Sequence, residues 1–337
     1  MIHPRQQWCH QICVTSMCWP TDPKTGKYSQ CSNCTRLLGH ERKRYFMTPD
    51  QFETCAEAAK DFPYESEPHR THPRKVIGIF GGEPLMHPNF PELVDILCSK
   101  IPDARHRGLF TSLDWPNYQN PKWGAAAPHV KRLLNVTSGP QSREEHPDSG
   151  WCNWNMHEPE KVIEHQPLLV SISDGVSNER EKWRLINDCW VQQEWSAAYA
   201  LDHNNEAKFY FCEVASSFDR ILNLGIGLPV APGVWRGDLN FEEDAGGRLK
   251  PVGPFAHQIV TACQRCGAAL PMKGRSDRQW KDDMSASNIR EFAAAGSPMV
   301  ERGDFVEFDG SIYNENEVRR DGWVPFVYVK KGAPIRQ

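Results

Sequence analysis

The sequence has no apolar run that approaches the roughly 18 residues of a membrane-spanning helix. Its first residues, MIHPRQQW, also lack the apolar segment of a secretory signal, so we expect a soluble, cytoplasmic protein. Lysine and arginine form no block, and the formal net charge is −4, so neither a nucleic-acid polymer nor a membrane is expected as a partner. The chain shows no internal repeat.

Cysteine, by contrast, is abundant. The chain of 337 residues is long enough for one large α/β barrel or for two domains of roughly 150 residues each. Its 26 prolines and 24 glycines predict many loops. Twelve cysteines without a secretory signal indicate a reducing compartment, where cysteines serve as metal ligands more often than as disulfides.

A first set of cysteines, Cys18, Cys31 and Cys34, flanks and follows a loop. The insert between the first two, WPTDPKTGKYSQ, has two prolines and a Lys-Thr-Gly-Lys turn, which is typical of a surface excursion. Loop closure costs only about 0.6 kcal/mol more per doubling of loop length, so these cysteines can still bind one cluster. Three thiolates can hold three irons of a [4Fe–4S] cluster and leave the fourth iron open to an external ligand.

A second motif follows about fifty residues later. The apolar run KVIGIF ends in Gly81, Gly82, Glu83 and Pro84. Because the glycines carry no side chain, we expect this turn to leave its backbone accessible to a ligand.

Apolar and β-branched runs alternate with amphipathic segments along the first half of the chain. Strands are predicted at 11–17, 75–80, 108–113 and 168–174, and helices at 47–62, 88–101 and 178–190. Such alternation predicts parallel βα units. The first cysteine set, the Gly-Gly-Glu-Pro turn and the pair Thr111–Ser112 all fall at carboxyl ends of strands, which form the catalytic face of an α/β barrel.

The three-cysteine set followed by Gly-Gly-Glu-Pro resembles the radical S-adenosylmethionine (SAM) enzymes. The family usually spaces its cysteines by three and then two residues, and some members lengthen the first gap as this chain does. The resemblance implies that the open iron chelates the amino and carboxylate groups of SAM, and that the Gly-Gly-Glu-Pro backbone receives the methionine amino group. It also implies a partial (β/α)6 barrel of the TIM type. Further SAM contacts are expected from Thr111, Ser112 and Arg36.

A second cysteine set comprises Cys189, Cys212, Cys263 and Cys266, which could saturate one further [4Fe–4S] cluster. A β-hairpin is predicted between the first two, at 196–201 with 208–214. This arrangement resembles the auxiliary-cluster domain, often called twitch or SPASM-like, of many radical SAM enzymes. Cys152, in the loop phrase WCNWN, is the candidate substitute ligand.

The predicted domains are a barrel core at 1–187, a small α+β auxiliary-cluster domain at 188–290 and a short-strand extension at 291–337. Residues 226–262 are predicted to have irregular structure. The polar tract 273–288 is predicted to be a solvated loop or, as an alternative, a substrate lid.

The expected function is reductive cleavage of SAM to a 5′-deoxyadenosyl radical, which takes hydrogen from a small polar metabolite or nucleoside. The auxiliary cluster favours net oxidation or bond rearrangement. Flavodoxin or ferredoxin would serve as the one-electron donor. Candidate catalytic residues are His157, His165 and Asp174, which flank the predicted strand 168–174.

Two alternatives stay open. A peptide-modifying radical SAM maturase is one, although no leader-peptide-binding segment is evident before the first strand. The other is a zinc-ribbon binding protein, in which CSNC and CQRC each give two sulfurs to a structural Zn(Cys)4 site. The zinc ribbon leaves Cys18, Cys189, Cys212 and the Gly-Gly-Glu-Pro turn without a role.

Overall fold

The computed structural model describes residues 1–18, 32–65, 74–111, 124–136, 148–154, 166–270, 272 and 281–308. Within these ranges the fold is α/β with a mostly parallel central sheet, which confirms the predicted class. None of the helices described there combines the length and the low polarity needed to cross a bilayer.

The central sheet has seven strands in the order β4-β3-β2-β1-β5-β6-β7. They are β1 (Cys9–Thr15), β2 (Val76–Gly81), β3 (Arg107–Thr111), β4 (Trp151–Trp154), β5 (Ser196–Leu201), β6 (Ala207–Tyr210) and β7 (Leu228–Pro229). The first five in chain order pair in parallel, and β6 and β7 add antiparallel strands beyond β5. The predicted strands around 11–17, 75–80 and 108–113 and the predicted hairpin are therefore present.

Two further pairs of strands lie outside this sheet. An antiparallel pair joins β8 (Asn240–Glu243) to β9 (Leu249–Val252), within the segment predicted to be irregular. A parallel pair joins β10 (Asp282–Met284) to β11 (Phe305–Glu307).

The helices of the described residues are α1 (Pro49–Ala59), α2 (Phe90–Lys100), α3 (Ala127–Leu134), α4 (Ile172–Gly175), α5 (Glu179–Asn187), α6 (Trp190–Glu194), α7 (Glu213–Leu222), α8 (Ala256–Ala262), α9 (Ala286–Ala294) and α10 (Pro298–Arg302). The start of α1 follows directly from its sequence. Thr48 and Gln51 form a reciprocal capping box, and Pro49 occupies the first helical position.

The two faces of the central sheet bury different side chains, because successive residues of a strand point to opposite faces. On one face, Ile12 packs in a core with apolar residues of α1 and α2, such as Phe52 and Leu93. The other face carries Cys9, Gln11 and Cys13 of β1, and we call it the Gln11 face. A separate cluster of Trp8, Cys9, Val76 and Phe110 is buried there.

The predicted strand 168–174 is wrong for most of its length. Leu169 makes a single parallel bridge with Met284, and helix α4 begins at Ile172. The physical reason is a helix cap, because the Ser171 hydroxyl accepts a hydrogen bond from the N–H of Ser173. The fourth strand of the sheet is instead Trp151–Trp154, in a stretch that the sequence predicted as loop.

The predicted domain boundary after residue 187 crosses the sheet. Strand β5, from the predicted auxiliary domain, pairs in parallel with β1 of the predicted core. The two segments thus share one sheet, and the domain division itself stays a prediction.

Candidate functional sites

The Gly-Gly-Glu-Pro turn lies at the carboxyl end of β2, directly against the chain that leads to Cys18. The N–H of Gly82 donates to the carbonyl of Thr15 (2.7 Å), and the N–H of Glu83 donates to the carbonyl of Met17 (2.7 Å). Gly81 has a φ of 146°, a conformation that side-chain-bearing residues rarely adopt. The turn therefore positions the start of the first cysteine loop.

This contact corrects one expectation. The missing side chain of Gly82 was expected to make room for a ligand. A Cβ atom on Gly82 would instead overlap the carbonyl of Met17, so the space is filled by the protein's own backbone. Close packing of two chain segments is what requires glycine at this position.

Glu83 and Thr111, two of the predicted SAM contacts, meet at this edge of the sheet. The buried Glu83 carboxylate accepts hydrogen bonds from the Thr111 hydroxyl (2.7 Å) and from the N–H of Leu85 (3.1 Å). Pro84 is buried and begins a short 3-10 helix, Pro84–Met86. Glu83 thus holds the turn in place.

Cys34 lies in a tight turn between two left-handed residues, Asn33 (φ 52°) and Leu37 (φ 48°). Burial raises the pKa of the Cys34 thiol, while hydrogen bonds from the backbone N–H groups of Arg36 and Leu38 act to lower it. N–H groups directed at a sulfur favour its thiolate, which is the form that binds iron.

Strand β10 anchors this turn. The Asn33 amide donates to Asp283 (2.8 Å) and accepts from the backbone N–H of Asp283 (2.9 Å). His40 bonds to Asp282 (3.0 Å) and to the Ser297 hydroxyl (2.7 Å). The prediction of a solvated loop is therefore wrong for Asp282 and Asp283, which are buried in a strand.

The chain then returns to the end of β1 through Tyr45. The N–H of Ser16 donates to the carbonyl of Tyr45 (3.2 Å), and the Tyr45 hydroxyl donates to the carbonyl of Cys13 (2.9 Å). Both described cysteine segments of the first set are thus fixed to the strand that precedes Cys18.

Arg36, predicted to contact SAM, is buried against the start of α7. Its Nη1 atom donates to the carbonyl of Glu213 (3.0 Å) and to the hydroxyl of Ser216 (2.5 Å). The side chain connects the first cysteine segment to the helix that begins immediately after Cys212.

The second cysteine set converges on one cavity. All four predicted ligands line it, although they come from segments separated by up to almost eighty residues: Cys189, Cys212, Cys263 and Cys266. The other walls of the cavity are largely apolar. Cys152 is not among its lining residues.

Backbone N–H groups point at three of these sulfurs. Cys189 precedes the first residue of α6, and Cys212 precedes that of α7, so each faces the N–H groups of a helix start. The N–H of Ala268 donates to the Cys266 sulfur (3.3 Å). Hydrogen bonds to the sulfurs are a usual feature of iron–sulfur sites.

Burial raises the pKa of all four thiols, to about 12 for Cys266. Proximity of the sulfurs to one another raises the pKa of Cys212 and Cys263 further. Four thiols enclosed in an apolar cavity can be held as thiolates only by a cation or a metal cluster that compensates their charge.

A further group of potential metal ligands lies outside the cavity. In the described ranges, one set of three or more potential ligands has its atoms within 4.8 Å of one another, and it contains no cysteine. That set is Glu65, Asp103 and His106, and Arg105 already pairs with both of its carboxylates.

The remaining predicted residues fall elsewhere. Asp174 is exposed on α4, where its carboxylate accepts from the N–H of Ser287 (3.1 Å) and so caps α9. It ends no strand, which removes the reason for considering it catalytic. Other predicted site residues lie outside the described residues: Cys31, Ser112, His157 and His165.

One buried residue beside the candidate sites was not predicted from the sequence. Glu213 is fully buried, and its Oε2 atom accepts from the Trp195 indole (2.8 Å) and the Ser196 hydroxyl (3.1 Å). Burial raises its pKa, against the opposing effect of these donors, of Thr35 and of Arg36. The available signal was its place directly after Cys212, a predicted ligand.

Comparison with known proteins found no protein-family model and no curated protein that matches this chain.

Proposed function

We propose that this chain is a radical SAM enzyme with two [4Fe–4S] clusters. The observation that carries the proposal is the contact between the Gly-Gly-Glu-Pro turn and the backbone just before Cys18, through the bonds Gly82–Thr15 and Glu83–Met17. Two motifs about sixty residues apart are thereby joined at the carboxyl edge of a parallel sheet. Ligand sites of α/β folds occur at this edge.

The first site would hold a cluster with one open iron. Cys18 is partly exposed at the strand end, and the Cys34 sulfur receives backbone hydrogen bonds. Cys31 would complete the set. When bound, such a cluster supplies the electron that cleaves SAM to methionine and a 5′-deoxyadenosyl radical, which takes a hydrogen atom from the substrate.

The side chains around this site would hold the turn in place and orient the bound SAM. Glu83 and Thr111 fix the turn that the methionine part of SAM would contact. Arg36, buried beside the first cysteine segment, holds that segment against the start of α7. Enclosure by the sheet and α7 would exclude water from the reacting atoms.

The four-cysteine cavity supports an auxiliary cluster as the second cofactor. Its four cysteines match the number of protein ligands that a [4Fe–4S] cluster takes, since each thiolate binds a different iron. We include in the proposal the partial (β/α)6 barrel, the auxiliary domain at 188–290 and a flavodoxin or ferredoxin as electron donor.

The test is anaerobic purification followed by iron and sulfide analysis and a SAM-cleavage assay with dithionite. We expect brown protein with about eight irons that releases 5′-deoxyadenosine. Colourless protein that contains zinc and leaves SAM intact would favour the zinc-ribbon alternative instead.

A further inference from the structure

Gln11 is a buried polar side chain that the proposed SAM chemistry does not use. It lies in the middle of β1, opposite Gly78 of β2 and Ala198 of β5, and none of its surface is exposed. Neither its amide oxygen nor its amide nitrogen has a hydrogen-bond partner within the described residues. Buried amides in native proteins are nearly always paired, so an unpaired one needs a reason.

A second buried glutamine serves as a comparison, because both polar atoms of its amide have hydrogen-bond partners. Gln258 donates to the carbonyl of Phe209 (3.0 Å) and accepts from the N–H of Phe211 (2.9 Å). Both of its polar atoms thereby hold backbone in place. Gln11 has no such role.

Aromatic rings lie beside the strand partner of Gln11, on the same face of the sheet. The neighbouring Gly78 has no side chain because the Phe110 ring occupies the space above it, where a Cβ atom would overlap the ring. Phe110 in turn packs against Phe80 (ring centroids 5.4 Å apart) and Trp195 (6.2 Å). Flat aromatic surfaces stack well on the planar rings of nucleobases.

A second acceptor points to the same face. Ser196 is paired with Cys9, two residues from Gln11, and its hydroxyl bonds to Oε2 of Glu213. The other carboxylate oxygen, Oε1, is buried and makes no hydrogen bond of ordinary geometry in the described part of the chain, although the Thr35 side chain interacts with the carboxylate. The Gln11 face thus offers an amide and a carboxylate oxygen beside an aromatic wall.

We propose that Gln11 recognises the substrate through a planar lactam edge, as found in uracil and guanine. The amide of glutamine presents a donor beside an acceptor, and a lactam presents the complementary pair. Glu213 would accept a further N–H of the same ring. That this ring belongs to the substrate rests on the proposed function. That it binds at this place rests on Gln11 and its surroundings.

The first measurement is thermal unfolding of Gln11→Leu, with Gln258→Leu as the matched control. Since the Gln11 amide makes no bond, Gln11→Leu should leave the melting temperature unchanged or raise it. Gln258→Leu should lower it, because two backbone partners lose their bonds. A loss with Gln11→Leu as large as that with Gln258→Leu would make Gln11 a structural residue and overturn the proposal.

The second measurement is calorimetric binding of uridine and guanosine to anaerobic protein with SAM present. At least one should bind, and Gln11→Leu should weaken it about tenfold or more. For uridine, 3-methyluridine, which lacks the donor N–H, should show a similar loss. The assignment is overturned if neither nucleoside binds, or if Gln11→Leu leaves the nucleoside affinity unchanged. It is also overturned if Gln11→Leu changes only the affinity for SAM.

These readouts separate the two proposals. If SAM is cleaved but no Gln11-dependent nucleoside binding occurs, the radical SAM function stands and the substrate assignment fails. If Gln11-dependent binding occurs in protein that cannot cleave SAM, the binding site stands and the proposed function fails.

Discussion

Thr111 and Glu83 come from neighbouring strand ends and meet through a hydrogen bond of 2.7 Å from the threonine hydroxyl to the carboxylate. Both side chains are buried, so the bond is not exposed to competition from solvent. It ties the end of β3 to the Gly-Gly-Glu-Pro turn, and through Met17 to the start of the first cysteine loop.

Replacing Thr111 with valine keeps the shape of the side chain and removes this bond. We expect the free energy of unfolding to fall by about 1–3 kcal/mol, since a buried carboxylate loses a donor. Urea denaturation measures the change. Thr54→Val, on the exposed side of α1, is the control and should change stability by less than about 0.5 kcal/mol. An equal loss of stability in the two variants would show that the Thr111–Glu83 bond stabilises the fold no more than an exposed threonine does.

Gly82 should not tolerate even one methyl group. A Cβ atom there would overlap the Met17 carbonyl, so Gly82→Ala should force the turn away from β1 and cost about 1–3 kcal/mol. We also expect iron content to fall, because the turn positions the backbone next to Cys18. Gly246→Ala, on an exposed turn, should change neither quantity. Full stability and full iron content in Gly82→Ala would contradict the packing described above.

His10 should make stability depend on pH in the acidic range. Burial lowers its pKa to about 3, and its ring lies 4.0 Å from that of Phe62. In the unfolded chain its pKa is about 6.5, so the unfolded state binds the proton first as pH falls. The stabilisation is complete above about pH 6.5 and is lost progressively towards pH 3.

Between about pH 7.5 and 4.5 this residue should account for about 2–3 kcal/mol of lost stability. The measurement compares the pH dependence of unfolding in wild type and His10→Gln, whose slope should be shallower. His257→Gln, at an exposed position of α8, should retain the wild-type slope. An unchanged slope in His10→Gln would mean that His10 titrates normally in the folded protein.

The four-cysteine cavity should bind iron independently of the first cysteine set. A variant with both Cys263→Ala and Cys266→Ala should lose about four of about eight irons, because two ligands of one cluster are removed. Cys98→Ala, on α2 and outside the cavity, should retain all of them. Full iron content in the double variant would show that the cavity does not hold a cluster.

Local patterns predicted those elements whose signals lie within a few residues. The spaced apolar residues of 47–62 and the β-branched run before Cys18 indicated α1 and β1, and the capping box at Thr48 then fixes where α1 begins. The segment 168–174 was predicted to be a strand because it is apolar. The Ser171 hydroxyl caps a helix there, and this helix start ends the extended segment. Strand β4 was missed because four residues with an asparagine among them give too little periodicity.

Relations across the chain were predicted unevenly. The four cysteines were grouped by their chemistry, and they do line one cavity. Nothing in the local sequence could show that Met17 fills the space above Gly82, or that the Gln11 amide is left unpaired. Both depend on which segments the tertiary fold brings together.

The central claim is tested most directly by SAM cleavage in a variant with Cys18, Cys31 and Cys34 all changed to alanine. Under dithionite, wild-type protein should release 5′-deoxyadenosine, and the triple variant should release none while retaining about four irons in the cavity of Cys189, Cys212, Cys263 and Cys266. Substantial 5′-deoxyadenosine from the triple variant, or none from iron-loaded wild type, would contradict the account.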